Sequence, residues 1–235
     1  PSGSMKGEPL KLGIIGFGIR GEQLMRATGF ATLDWLKTMK QNAENNPNDS
    51  RLDNFLNQED LNVRFTAICD IFDVRAKQAA EAGTTGDNKP KIYTDYRELL
   101  ASDDVDAVII ATPDHWHAPM AIEAAKNGKH VYVEKCMTHK VEETFELKNV
   151  INNSNIVFQV GHQHRQTQSF LTAQDIIKKN ILGHVSLIEA TTNRNSDNGA
   201  WQYDIHPEAS PQTIQWDKFL GNAPKKPFNK EHFFR

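Results

Sequence analysis

The 235 residues carry 38% hydrophobic and 24% charged side chains at a formal net charge of -3, leaving room for one large globular domain or for one domain and part of another. No basic arm or charge run points to nucleic acid or a membrane surface, and no stretch approaches the ~20 apolar residues of a membrane span. Pro1 to Pro9 lacks the apolar core of a leader peptide, so the expected compartment is the cytoplasm, or the periplasm where a leader has been removed.

The first element is a buried-strand run from Leu12 that breaks into Gly16, Gly18 and Gly21 and then enters a helical pattern. In a dinucleotide-binding turn the first glycine permits the tight exit from the strand. The second lets backbone N–H groups approach a pyrophosphate, and the third lets the helix pack closely, so that the diphosphate meets the positive helix end. The stretch Gly16, Phe17, Gly18, Ile19, Arg20, Gly21 is therefore the first candidate cofactor site, with a plain tight turn as the alternative. A long first helix should follow. Positions 42 to 62, rich in Asn, Asp and Gln, read as an exposed insertion.

Further apolar runs at 63–69, 107–111, 130–133 and 156–161 read as strands without a wet face. Helical patterns at 74–82, 96–101, 118–127 and 141–151 alternate with them, which is the signature of a doubly wound parallel sheet. Pro119 suits a first helical turn, and Gly128 suits the position just past a helix end. Asp70, at the end of the second strand, is the expected acceptor for the ribose hydroxyls once the insertion is discounted. Its charge would repel a 2′-phosphate, favouring NAD over NADP. Asp73 is the better candidate for a helix cap. Cys69 and Cys136 read as a small buried residue or a free thiol each, not as a disulfide framework.

This places a nucleotide-binding Rossmann domain at 1–160, with residues 161–235 following it as a separate, second part. A helix over 167–179 and a strand over 185–192 should begin that second part, followed by binding loops over 193–224. Trp201, Tyr203 and Trp216 in those loops suit either stacking on a sugar face or loop packing.

Two more constellations fall at carboxyl ends of strands, where such sheets bind ligands. They are Ala111-Thr-Pro-Asp-His-Trp-His117 and Val133-Glu-Lys-Cys-Met-Thr138. With these, the glycine turn, Tyr93-Thr-Asp-Tyr-Arg-Glu-Leu-Leu100 and Val160-Gly-His-Gln-His-Arg165, the chain resembles the Gfo/Idh/MocA oxidoreductases, the glucose-fructose oxidoreductase and inositol dehydrogenase group. Trp216-Asp-Lys-Phe-Leu-Gly221 and Pro227-Phe228 look like the second domain of its bacterial sugar-processing members.

The resemblance implies that Glu134 and Lys135 match a Glu-Lys-Pro signature whose lysine faces the nicotinamide and a substrate hydroxyl. A partly desolvated lysine there can orient a sugar hydroxyl and help move its proton; the alternative for Lys135 is a solvated surface residue. Thr112, Pro113, His115 and His117 would line the cofactor by the same likeness. His162 and Arg165 match positions near the substrate, and His206 is a further substrate candidate. Cys136 departs from the usual proline. The family's aspartate and histidine, four apart on a helix, have no counterpart, and Asp204 and His206, two apart, do not share a helical face. The resemblance implies that 161–235 begins an α+β substrate domain with an open sheet, and the chain looks like an N-terminal portion of such an enzyme.

His115-x-His117 and His162-x-His164 could in principle supply four imidazoles, but both pairs fall at dinucleotide-fold loop positions, so no metal is expected. The expected activity is NAD-dependent hydride transfer on a sugar or cyclic polyol, by a chain that forms homo-oligomers. Two alternatives stay open: glycoside cleavage by transient sugar oxidation, and a nucleotide-binding fragment without turnover.

Overall fold

The computed structural model describes residues 7–191 and 203–234. Six strands, β1 (Leu10–Ile15), β2 (Val63–Cys69), β3 (Lys91–Tyr93), β4 (Ala107–Ile110), β5 (His130–Glu134) and β6 (Phe158–Gly161), form one sheet in the order 3-2-1-4-5-6. All neighbouring pairs are parallel, with Ile14 opposite Ile68 and Ile109 on either side of β1. This is the doubly wound order, in which the connection reverses beside β1 and opens a crevice at the carboxyl ends of the strands.

Helices α1 (Ile19–Ala27), α2 (Leu33–Asn45), α3 (Arg51–Leu56), α4 (Asp73–Ala82), α5 (Tyr96–Ala101), α6 (Asp114–Lys126) and α7 (Val141–Asn152) connect the strands. Two apolar clusters result. One joins Ile15, Ile110 and Val133 to Leu99, Leu100, Ala121 and Leu147; the other joins Ile14, Phe65 and Ile68 to Met25 and Ala79. Strands apolar on both sides are the direct consequence of helices on both faces.

Several expectations change. No single long helix follows the glycine turn: it stops at Ala27, and α2 starts afresh behind Thr32, whose hydroxyl accepts the Trp35 N–H at 3.3 Å. The supposed insertion contains α3, anchored where Phe55 meets Trp35 edge-on at 5.2 Å. Strand β3 was not expected, because three residues carry too little pattern. Helix α6 begins at Asp114, a turn early, so Pro119 lies inside it and costs one backbone hydrogen bond. Asp73 is the first residue of α4 and not its cap.

Beyond β6 lie α8 (Gln168–Lys178), α9 (Trp216–Leu220) and α10 (Lys230–Phe234). The expected strand over 185–192 is not formed through residue 191. Leu187 and Ile188 are 79% and 84% exposed, and a strand without a neighbour has nothing to satisfy its backbone. Residues 192–202, including Trp201, lie outside the described residues. The segment from 203 to 234 packs back on the sheet end: Gln215 N–H donates to Ile71 O, Asp73 N–H to Thr213 O, and Phe72, Ile214 and Phe234 share a buried cluster.

Candidate active site

A cleft of about 1010 Å³ opens at the carboxyl ends of the strands, walled by the glycine turn, the β4 and β5 exits and part of the 203–234 segment. Gly16 has φ of +88°, and a Cβ there would stand 2.7 Å from Ala111 O. At Gly21 a Cβ would meet Gly16 O at 2.2 Å. Neither position admits a side chain, so the turn stays narrow and α1 starts close against it. Gly18 caps α1 with no side-chain hydrogen bond, leaving the helix N-terminus to face the cleft with its N–H groups. Gly16, Gly18, Ile19 and Arg20 line the cleft, whereas Phe17 is 5% exposed and packs into the core.

Asp70 lines the same cleft and is buried. Its carboxylate accepts the Phe17 N–H at 2.6 Å and the Phe72 N–H at 2.8 Å, buckling the glycine turn to the end of β2. Burial pushes this carboxyl above its ordinary range, against the pull of nearby Arg75 and the two N–H donors. Burial correspondingly lowers the Arg75 guanidinium, with Asp70 opposing. Arg75 was missed in the sequence. It stands on the cleft wall with its guanidinium 5.1 Å from the Phe234 ring. Next to Asp70, burial drives the Cys69 thiol up to about 12, the pattern of an inert core cysteine.

On the opposite wall are Thr112 and Pro113, the latter capping α6. His117 is 1% exposed, with Nδ1 2.7 Å from Cys136 O and Nε2 2.7 Å from Thr112 O. It ties the β4 exit to the β5 exit. His115 sits outside the cleft lining, its Nε2 2.8 Å from Phe219 O. Among the described residues no group of three or more His, Cys, Asp or Glu is placed to hold a metal.

Glu134, 4% exposed, accepts Arg20 Nε–H at 2.7 Å, Tyr132 O–H at 3.1 Å and the Lys135 peptide N–H at 3.3 Å. Burial works against the Arg20 charge, but bonding to Glu134 holds it above its ordinary range. Lys135 is an exposed residue of the cleft wall.

The three expected substrate ligands stand elsewhere. His162 and Arg165 are exposed and do not line the cleft, because β6 is the sheet edge and the chain turns outward at His164, φ 67°. Gln163 reaches the wall in their place. His206 packs edge-on against Phe72 at 5.3 Å, outside the lining, while Asp204 is part of it. Lys218, Phe219, Phe233 and Phe234 also line the cleft; Lys218 and Phe219 fall in the Trp216–Gly221 stretch that carried the family likeness, and no sequence signal singled out Phe233 and Phe234. Trp216 serves packing, stacked on Phe219 at 5.0 Å with its indole N–H on Lys226 O.

Residues 10–162 match the profile of the Gfo/Idh/MocA group, described as an oxidoreductase family with an NAD-binding Rossmann fold. The chain belongs to this family. Among curated relatives, a glycosyl hydrolase family 109 protein from Shewanella sp. strain MR-4 is 45% identical over 91 residues. An alpha-N-acetylgalactosaminidase from Shewanella oneidensis is 43% identical over 90 residues. Each match covers 36% of this chain and 20% of the relative, so the chain spans only a fraction of their length. Among solved structures, an NAD binding oxidoreductase from Klebsiella pneumoniae is 26% identical at a TM-score of 0.51, over 74% of this chain and 40% of that one. A myo-inositol dehydrogenase from Lactobacillus casei, in complex with NAD(H) and myo-inositol, has the same fold: 20% identity, TM-score 0.56, 74% and 43% coverage. Among the described residues no helix is long and apolar enough to cross a membrane.

Proposed function

We propose that this chain is the nucleotide-binding part of an NAD-dependent oxidoreductase acting on a sugar or cyclic polyol. The observation that carries the reading is the juxtaposition of the glycine turn, the bare α1 N-terminus and Lys135 around one cleft. The residues present suit the cofactor: the turn is too narrow for side chains at Gly16 and Gly21, the helix end offers N–H groups to a diphosphate, and Asp70 stands at the ribose end. Bound there, NAD would accept a hydride from the carbon that carries the reacting hydroxyl. Thr112 and Pro113 would form the wall behind it, with Arg20 and Glu134 on the cleft floor. Lys135 would orient the substrate hydroxyl and help move its proton. Lys135 is exposed on the cleft wall and not the partly desolvated residue expected from the sequence, so what supports its role is its place on the cleft and not burial.

A second reading has its own support. The relatives at 43–45% identity carry glycosidase names, which favours glycoside cleavage through transient oxidation, with the cofactor returned to its starting state. One screen separates the two. A panel of sugars, polyols and N-acetylated glycosides is offered to the NAD-loaded protein while NADH absorbance and released sugar are both followed. Net NADH marks a dehydrogenase, released sugar without net NADH marks a glycosidase, and neither signal from a chain that binds NAD marks nucleotide binding without turnover.

A further inference from the structure

Glu134 reaches the cleft floor, but its carboxylate is already engaged by the protein. Its carboxylate is buried, and it accepts from three protein donors: Arg20 Nε–H on α1, Tyr132 O–H on β5 and the peptide N–H of Lys135 itself. The fourth side of this knot is a missing side chain. At Gly161, the last residue of β6, a Cβ would stand 2.5 Å from Tyr132 Oη and 2.6 Å from Glu134 Oε1. No real Cβ tolerates such approaches, so only glycine lets β6 pair beside Glu134 while the carboxylate keeps its place. The backbone is not the reason: Gly161 is not among the glycines with positive φ.

We propose that Glu134, held by Arg20 and Tyr132 against Gly161, is a positioning residue for Lys135 and not a ligand of the substrate. This rests on the proposed function only for what Lys135 does; its placement is a question the protein answers alone. A buried carboxylate needs its partners, because removing one leaves a charge uncompensated and free to move. The Lys135 peptide hangs on that carboxylate, so a shift at Glu134 moves the first residue of the turn carrying the amine. Misplacing a reacting group by about 1 Å costs on the order of 10²-fold in rate. Tyr132 and Gly161 do not line the cleft, so their substitutions act on it through Glu134, and NAD affinity reports any effect that Glu134 passes to Arg20 instead of to Lys135.

The test uses the NAD-loaded chain with ¹³C-dimethylated lysines, the Lys135 resonance being the one lost in Lys135→Arg. Gly161→Ala should displace that resonance and its pH midpoint, and Tyr132→Phe should do so less. In Gly161→Ala together with Tyr132→Phe, loss of the hydroxyl should restore part of the original position. Where turnover is available, Gly161→Ala should lower kcat about 10-fold or more with KM for NAD changed less than about 2-fold, and Arg20→Lys should retain more kcat than Arg20→Leu. A Lys135 resonance unmoved in a folded Gly161→Ala protein overturns the proposal, as does a rate loss matched by lost NAD affinity. The resonance needs no substrate, so failure of the sugar screen leaves this result readable.

Discussion

Residues 10–161 and residues 162–191 are both helical or apolar in sequence, yet only the first stretch buries what it carries. Ile68 in β2 is 0% exposed, with strands on either side and α4 above it; Ile188 is 84% exposed. Helix α8 has no buried residue at all, although its apolar side chains recur at helical spacing. Periodicity states which face of an element is apolar, and burial depends on whether another element stands opposite. The 203–234 segment lies between these extremes: its helices are short, but Leu220 is buried, and Ile214 and Phe234 are buried with Phe72 at the end of the sheet.

The contrast gives its largest expected effect in stability. Ile68→Ala should cost about 2–5 kcal/mol, as for a truncated core aliphatic, while Ile188→Ala should stay within about 0.5 kcal/mol. Denaturant titration of both variants checks this, and equal losses would mean that 185–191 is packed. In activity, Lys135→Ala in a turnover-competent form of the protein should lower the rate by about 10²-fold or more, the scale of a proton-transfer group. Arg165→Ala, on the exposed stretch, should change it little. Steady-state kinetics on both variants distinguish the cleft wall from the exit of β6, and a larger loss at Arg165 would reverse the comparison.

A smaller effect concerns pH. Because burial raises the Asp70 carboxyl above 3.8, the folded state holds that proton to higher pH than the unfolded state does. Its contribution to stability therefore falls as pH rises from about 4 through the raised folded value. The stability difference between the wild type and Asp70→Asn should shrink over that window, as read by thermal melts at stepped pH. A difference that grows with pH would mean a depressed carboxyl.

Most of the sheet was legible in the sequence because strands apolar on both faces leave unbroken runs such as Ala107–Ile110, and glycines at turns punctuate them. Short or contact-dependent elements were not. Lys91–Tyr93 becomes a strand only because β2 offers it an edge, and 51–56 becomes a helix where Phe55 finds Trp35. At the site, the glycine turn and Asp70 could be placed on strand ends from the apolar runs, and Lys135 just past the run at 130–133, although its role came from the family resemblance. What they bond to could not: Asp70 is spent largely on two backbone N–H groups, and His117 on two carbonyls. Arg75 and Phe234 reach the cleft from segments far apart in the chain, a juxtaposition that no local pattern encodes.

Calorimetric titration of this chain with NAD and with NADP tests the central claim, that the cleft is a dinucleotide site with an acidic ribose end. NAD should bind with one site per chain and at least ~10-fold more tightly than NADP, about 1.4 kcal/mol. Absence of NAD binding by the folded chain would contradict the site itself, and equal affinities would remove Asp70 from the ribose end.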